Sequence, residues 1–328
     1  MDLTPVLFHG LDDAQVGILS HLLSHGTETS PRGLTTLESR GISFTIANPR
    51  ARCIVNPIRK WSLPLALGEL CWHLSEETRV DALAYYAPIW KNFADPTGHV
   101  RGSCYGAKAL AGGPESAWHR ARTLLASDPE SRRAVIYFND HASHLELDCR
   151  DAACAVSLQF LIRGKKLESI VSMRSNDAVW GLPYDIFLFT FLQELMAVQL
   201  GLDVGPYRHF AASVHLYQKH FDLAKRMIAF RGDTEFSMPP MVSPDMIPTF
   251  LHFERLIRTG DPAEPVARQY GGKQDATLPL YWAELQDILR RYKRAKSAGW
   301  PTVGNSNGTY ERILSPLRGL ESTASATA

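Results

Sequence analysis

The sequence predicts an α/β fold of the α+β kind, and three observations carry the prediction. Short runs rich in β-branched and aromatic residues lie at 132–138 (RRAVIYF), 155–162 (AVSLQFLI) and 166–173 (KLESIVSM), the last two joined by a turn at Arg163-Gly164-Lys165. The apolar run at 184–200 (YDIFLFTFLQELMAVQL) is long enough for a central helix, with Pro183 before it and Gly201 after it. The segment 63–74 (LPLALGELCWHL) has a proline near its first turn and is apolar almost all round, so it reads as a buried helix.

The remaining elements are read in chain order. The stretch 233–278 is rich in Pro, Met and Gly, with a short helix expected at 249–258, and 279–296 reads as an amphipathic surface helix. The tail ESTASATA at 321–328 reads as disordered, and no repeat of about 20 to 50 residues is visible. A chain of 328 residues can form one large domain or two smaller ones.

A formal net charge of +1 gives no overall field to attract nucleic acid or an anionic membrane, so any anion must be caught locally. The longest apolar run, 184–200, carries Asp185, Gln193 and Glu194, which argues against membrane insertion. Five cysteines, an odd number, and an N-terminus without basic and apolar signal regions read as a reducing, cytoplasmic protein.

Arginines recur in polar surroundings: Arg32 in SPRGLTT, Arg132 and Arg133 in DPESRRAV, and Arg174 followed by Ser175. Forked guanidinium groups suit a phosphate dianion, although separated arginines are also ordinary surface charges. Cys154 stands where a loop enters a strand; it is either a small core residue or a nucleophile whose thiolate nearby arginines favour. Glu69, inside an apolar helix, is either paired with an arginine or a carboxyl with a raised pKa that exchanges protons near neutrality. His141, His144, Cys149 and Cys154 have spacing that fits a zinc site poorly, so no metal is expected.

These residues fall into ordered motifs. ACAVSLQF, RSNDAVWGLPYDI and VHLYQKH, preceded by SPRG, ELCWHL, CYGAK and DPESRR, resemble in order and spacing the motifs of thymidylate synthases over about residues 26–222. The resemblance implies a mixed β-sheet with a central buried helix, dimerising through the sheet. It also implies a catalytic core at 26–232, with 1–25 an N-terminal extension and 233–320 a divergent part of the same domain. Cys154 matches the thiolate that adds to C6 of a pyrimidine, making C5 nucleophilic toward the methylene of the co-substrate 5,10-methylenetetrahydrofolate. Glu69 and Tyr105 match positions that manage protons and ordered water. Arg32, Arg174 and Ser175 match phosphate ligands, and Arg132 and Arg133 match a pair reaching into the partner's site of a homodimer. His215 and Tyr217 match ligands of the sugar 3′-hydroxyl, while Trp90, Asp177, Gly181 and Tyr184 lie where the folate ring is held.

Three departures stand out. Ala153-Cys154-Ala155 replaces the family's Pro-Cys-His, Ser213 replaces an acid two residues before the His of His-x-Tyr, and Asp185 replaces Asn. One Asn amide can donate to O4 of uracil and accept from its N3–H. Cytosine presents the reverse pair, which a protonated Asp matches by accepting with one oxygen and donating with the other; ionised Asp185 with N3-protonated cytosine is the equivalent alternative. Asp at this position is similar to the deoxycytidylate and cytidylate 5-hydroxymethylases, in which water rather than hydride completes the transfer. The expectation is therefore hydroxymethylation of CMP or dCMP. A synthase or hydroxymethylase acting on dUMP and a non-catalytic nucleotide- or RNA-binding relative are the alternatives.

Overall fold

The computed structural model describes residues 5–139, 145, 149–260, 278–297 and 309–314. Its strands are β1 (Val6–Phe8), β2 (Thr27–Thr29), β3 (Thr36–Ile46), β4 (Val135–Tyr137), β5 (Ala155–Arg163), β6 (Lys166–Met173), β7 (Asn176–Asp177) and β8 (Asp203–Tyr217). They form one mixed sheet in the order β1-β3-β8-β6-β5-β4, with β2 also on β3 and β7 on β8. The helices are α1 (Leu11–His25), α2 (Leu63–Leu74), α3 (Asp81–Tyr86), α4 (Tyr105–Leu110), α5 (Ala117–Ser127), α6 (Gly181–Leu200), α7 (Phe221–Ala229), α8 (Ile247–Thr259), α9 (Leu280–Ser297) and α10 (Glu311–Leu314).

The β5–β6 hairpin forms as the sequence predicts, but Arg163 pairs with Lys166, so the turn is the two residues Gly164-Lys165. Gly164 supplies the positive φ of 60° that such a turn requires. The predicted strand at 132–138 contracts to Val135–Tyr137; before it the Val135 N–H folds back onto the Arg133 carbonyl at 2.8 Å in a three-residue turn.

Helix α2 occupies the predicted span, with Ser62 accepting from the Leu65 N–H as its cap. Helix α6 starts at Gly181, three residues before the predicted Tyr184, so Asp185 belongs to its second turn. Pro183 falls among the first N–H positions, which need no partner in the helix, and so permits the earlier start. Leu182, Ile186, Phe189, Phe191, Leu192 and Met196 are fully buried around α6. Of its buried polar side chains, Gln193 donates to the Leu167 and Gly205 carbonyls while its Oε1 has no hydrogen-bond partner among the described residues, and Glu194 pairs with Arg50 and Arg52.

Two long strands escape sequence reading. β3 is broken in pattern by Gly41, and β8 carries Gly205-Pro206 near its start, yet they pair antiparallel from Thr36↔Tyr217 to Ile46↔Tyr207. α1, also unread, places Leu11, Ala14, Leu19 and Leu22 in the same core as α2 and α6. α9 is amphipathic as expected: Trp282, Leu285 and Leu289 are buried, and the Trp282 indole donates to the Val242 carbonyl at 2.7 Å. Among the described residues no helix is long and apolar enough to cross a membrane.

Candidate active site

Cys154 lies one residue before β5, and its peptide N–H and that of Ala155 both donate to the Tyr105 hydroxyl at 3.2 Å. Arg174, just past β6 on the neighbouring strand, turns back over this segment. Its Nε donates to the Ala153 carbonyl at 2.8 Å and its Nη2 to the Ala152 carbonyl at 3.0 Å, with Nη2 3.9 Å from Cys154 Sγ. Burial pushes the Cys154 thiol up to about 11, the Asp185 carboxylate pushes the same way, and Arg174 opposes them without prevailing. In a single chain desolvation outweighs the one guanidinium near the sulfur, which favours the thiol form.

Glu69 projects from the middle of α2, and its Oε1 accepts from the Trp90 indole N–H at 2.9 Å. Burial raises its pKa to about 8; Asp185 adds to the rise and Trp90 opposes it. Its hydrogen-bond partner is thus Trp90, not the arginine that a structural role would supply. Asp185 is raised by burial to about 7, with a hydrogen bond from Asn176 Nδ2 at 2.8 Å pulling down and Asp177 pushing up. Tyr105, fully desolvated, has its hydroxyl held well above the usual range. It is set by α4, whose Gly106 N–H donates to His73 Nδ1 at 3.2 Å. A Cβ at Gly106 would lie 1.9 Å from the His73 carbonyl oxygen, so only glycine lets α4 come this close.

Beside Arg174 opens a cavity of about 430 Å³ whose walls include Arg32, Glu38, Arg174, Ser175, His215 and Tyr217. Antiparallel register explains the grouping: Glu38 faces His215 and Thr36 faces Tyr217, while the alternate residues Val214 and Leu216 are buried in the core. Arg32 reaches the cavity from a short turn in which it adopts φ 54°, ψ 31°, a left-handed conformation uncommon for Arg. Burial lowers the His215 pKa, against the pull of Asp177 and Glu38. Sequence reading missed Glu38, which accepts from the Ser213 hydroxyl. Its signal was the acid missing at Ser213, which the adjacent strand supplies.

The residues matched to folate gather around the start of α6. Asp177 Oδ1 accepts the N–H groups of Val179 and Trp180 at 2.7 and 3.0 Å. The Tyr184 hydroxyl accepts from the Ser62 N–H at 3.3 Å, and its ring stacks on Trp61 with centroids 5.7 Å apart. Gly181 is close enough to Asp185 and Asn176 that a Cβ there would sit 3.4 Å from a polar atom of each. Trp90 is bonded to Glu69. Arg132 and Arg133 are exposed and do not line the cavity of their own chain. His141 and His144 lie outside the described residues.

Cys154 thus lies beside the Arg174 guanidinium, next to a cavity lined by Arg32, Arg174, Ser175, His215 and Tyr217. Over residues 16–243 the chain matches the thymidylate synthase family, and it belongs to that family. It is 31% identical over 177 residues to a thymidylate synthase from Buchnera aphidicola subsp. Schizaphis graminum, covering 52% of this chain and 66% of that protein. It is 28% identical over 212 residues to a deoxyuridylate hydroxymethyltransferase from Bacillus phage SP01, covering 61% of this chain and 55% of that protein. The chain thus spans between about half and two thirds of the length of these relatives.

Proposed function

We propose that the protein is a folate-dependent one-carbon transferase that hydroxymethylates C5 of a cytidine 5′-monophosphate, CMP or dCMP. The observation that carries this reading is Asp185, a largely buried carboxyl with a midpoint of about 7, so that near neutrality it can accept with one oxygen and donate with the other. Arg32, Arg174 and Ser175 hold the phosphate, and His215 and Tyr217 hold the sugar. In a homodimer, Arg132 and Arg133 of a second copy add to the phosphate site, and their exposure on this chain is consistent with that role.

Cys154 Sγ forms a bond to C6, and the displaced π pair makes C5 nucleophilic. Glu69, protonated up to about pH 8, and Tyr105 handle the protons of addition and of C5 deprotonation before the S–C6 bond breaks. C5 bonds the methylene carbon of methylenetetrahydrofolate, tetrahydrofolate leaves unoxidised with the C–N electron pair, and water adds to the resulting exocyclic methylene as Sγ departs from C6. Tyr184, backed by the buried Trp61, and Trp90 supply aromatic surface suited to a flat heteroaromatic ring. A relative with a hydroxymethyltransferase name supports water as the acceptor; its dUMP substrate is the second reading.

Turnover assays with CMP, dCMP and dUMP test this. Release of tritium from C5 of a cytosine nucleotide without dihydrofolate absorbance is expected, and stoichiometric dihydrofolate overturns it. Asp185→Asn moves preference toward uracil by about tenfold to a hundredfold, the cost of one buried polar mismatch.

A further inference from the structure

Behind Asp185 runs a line of hydrogen bonds that no step above uses. Tyr207 and His209 sit two apart on β8 and so face the same way, toward β7 and the start of α6. The Tyr207 hydroxyl is 2.9 Å from His209 Nδ1, His209 Nε2 is 3.0 Å from Asn176 Oδ1, and Asn176 Nδ2 donates to Asp185 Oδ2 at 2.8 Å. Tyr207 and His209 are 0% exposed and Asn176 2%, so bulk solvent does not reach these groups.

Burial holds His209 neutral, with a pKa of about 3, and a neutral imidazole has one N–H and one acceptor. The line therefore has a direction. In one direction Tyr207 donates to Nδ1, Nε2–H donates to Asn176 Oδ1, and one amide N–H donates to Asp185, so each of the three side chains donates along the line. In the reverse direction the Tyr207 proton is left in the core, because among the described residues its hydroxyl bonds only His209. A buried unpaired hydroxyl is disfavoured.

We propose that Tyr207, His209 and Asn176 form a one-way chain that keeps Oδ2 of Asp185 an acceptor, so that its proton sits on Oδ1 and the base meets a fixed donor–acceptor order. The three are positioning residues; none is assigned a contact with substrate. The inference rests on the cytosine reading above, since the fixed order is what separates cytosine from uracil. Glu69 on α2, Tyr105 on α4, Cys154 before β5 and Asp177 on β7 also act on Asp185 or feel its charge, and the chain adds to their effect.

Two shape-preserving variants test the chain. Tyr207→Phe deletes only the hydroxyl, and His209→Phe keeps a ring for the 5.0 Å stack on Phe44. With the direction lost, the Asn176 amide is free to turn and no longer supports the carboxylate. The Asp185 midpoint, read by carbon NMR of labelled aspartate and assigned by its loss in Asp185→Asn, should move upward in either variant. Cytosine-over-uracil preference in kcat/KM should fall about tenfold. His209→Gln, which keeps an N–H for Asn176, should restore most of both. Unchanged midpoints in both phenylalanine variants overturn the chain. A moved midpoint in an enzyme that ignores cytosine overturns the cytosine reading instead and leaves the chain standing.

Discussion

Around Arg32, Arg174 and Ser175 the cavity is open, and the two arginines are exposed and permanently charged. Around Glu69, Tyr105 and Asp185 the ionisable groups are largely buried, and desolvation moves each toward its neutral form. The first region offers forked guanidinium donors to whatever enters the cavity. The second gains from groups that can hold or release a proton, which a reaction passing through charged and neutral states requires. Cys154 stands between them, with Arg174 pulling its pKa down and burial and Asp185 pushing it up.

The contrast can be broken at four points. Removing the nucleophile has the largest effect: Cys154→Ser should cut C5 tritium release more than about a thousandfold while nucleotide binding survives. Glu69→Gln should lower kcat about a hundredfold. In the wild type kcat/KM should fall as pH rises through about 8, where Glu69 loses its proton, and the variant should lose that limb. At the permanently charged region, Arg174→Ala should raise the nucleotide KM about thirtyfold, the worth of a charge-assisted pair, with a smaller change in kcat.

The smallest effect is on stability. Asp185 binds its proton more tightly folded, midpoint about 7, than unfolded, near 3.8. Its contribution is whole below about pH 4 and is lost as pH rises through 7. Asp185→Asn should therefore raise Tm by roughly 5 °C at pH 8 and hardly at all at pH 4, by calorimetry. No difference between the two pH values would mean that the carboxyl is not desolvated.

What the sequence made legible follows from how local each signal is. β6 and α2 were readable to the residue because turn chemistry and a Pro-led apolar run lie within a few positions of them. β3 and β8 were not, because Gly41 and Gly205-Pro206 break the local pattern and the strands are stabilised by pairing with each other. Site residues carried by motifs, Cys154, Glu69, Arg174 and His215, fall together in the structure around one region. Glu38, Tyr207 and His209 were invisible because their meaning is a cross-strand neighbour or a buried bond, not a spacing. The thiol of Cys154 shows the same limit: its arginine was foreseen, but the desolvation that outweighs the arginine depends on packing.

The register Thr36↔Tyr217 also bears on how the molecule is made. The cavity wall closes only when segments about 180 residues apart meet, so its loop-closure entropy is met late and in one step. Folding of the binding site should therefore be slow relative to the local β5–β6 hairpin. A nascent chain that has not yet emitted β8 lacks the strand that pairs with both β3 and β6, so the cavity wall forms only once that strand is present.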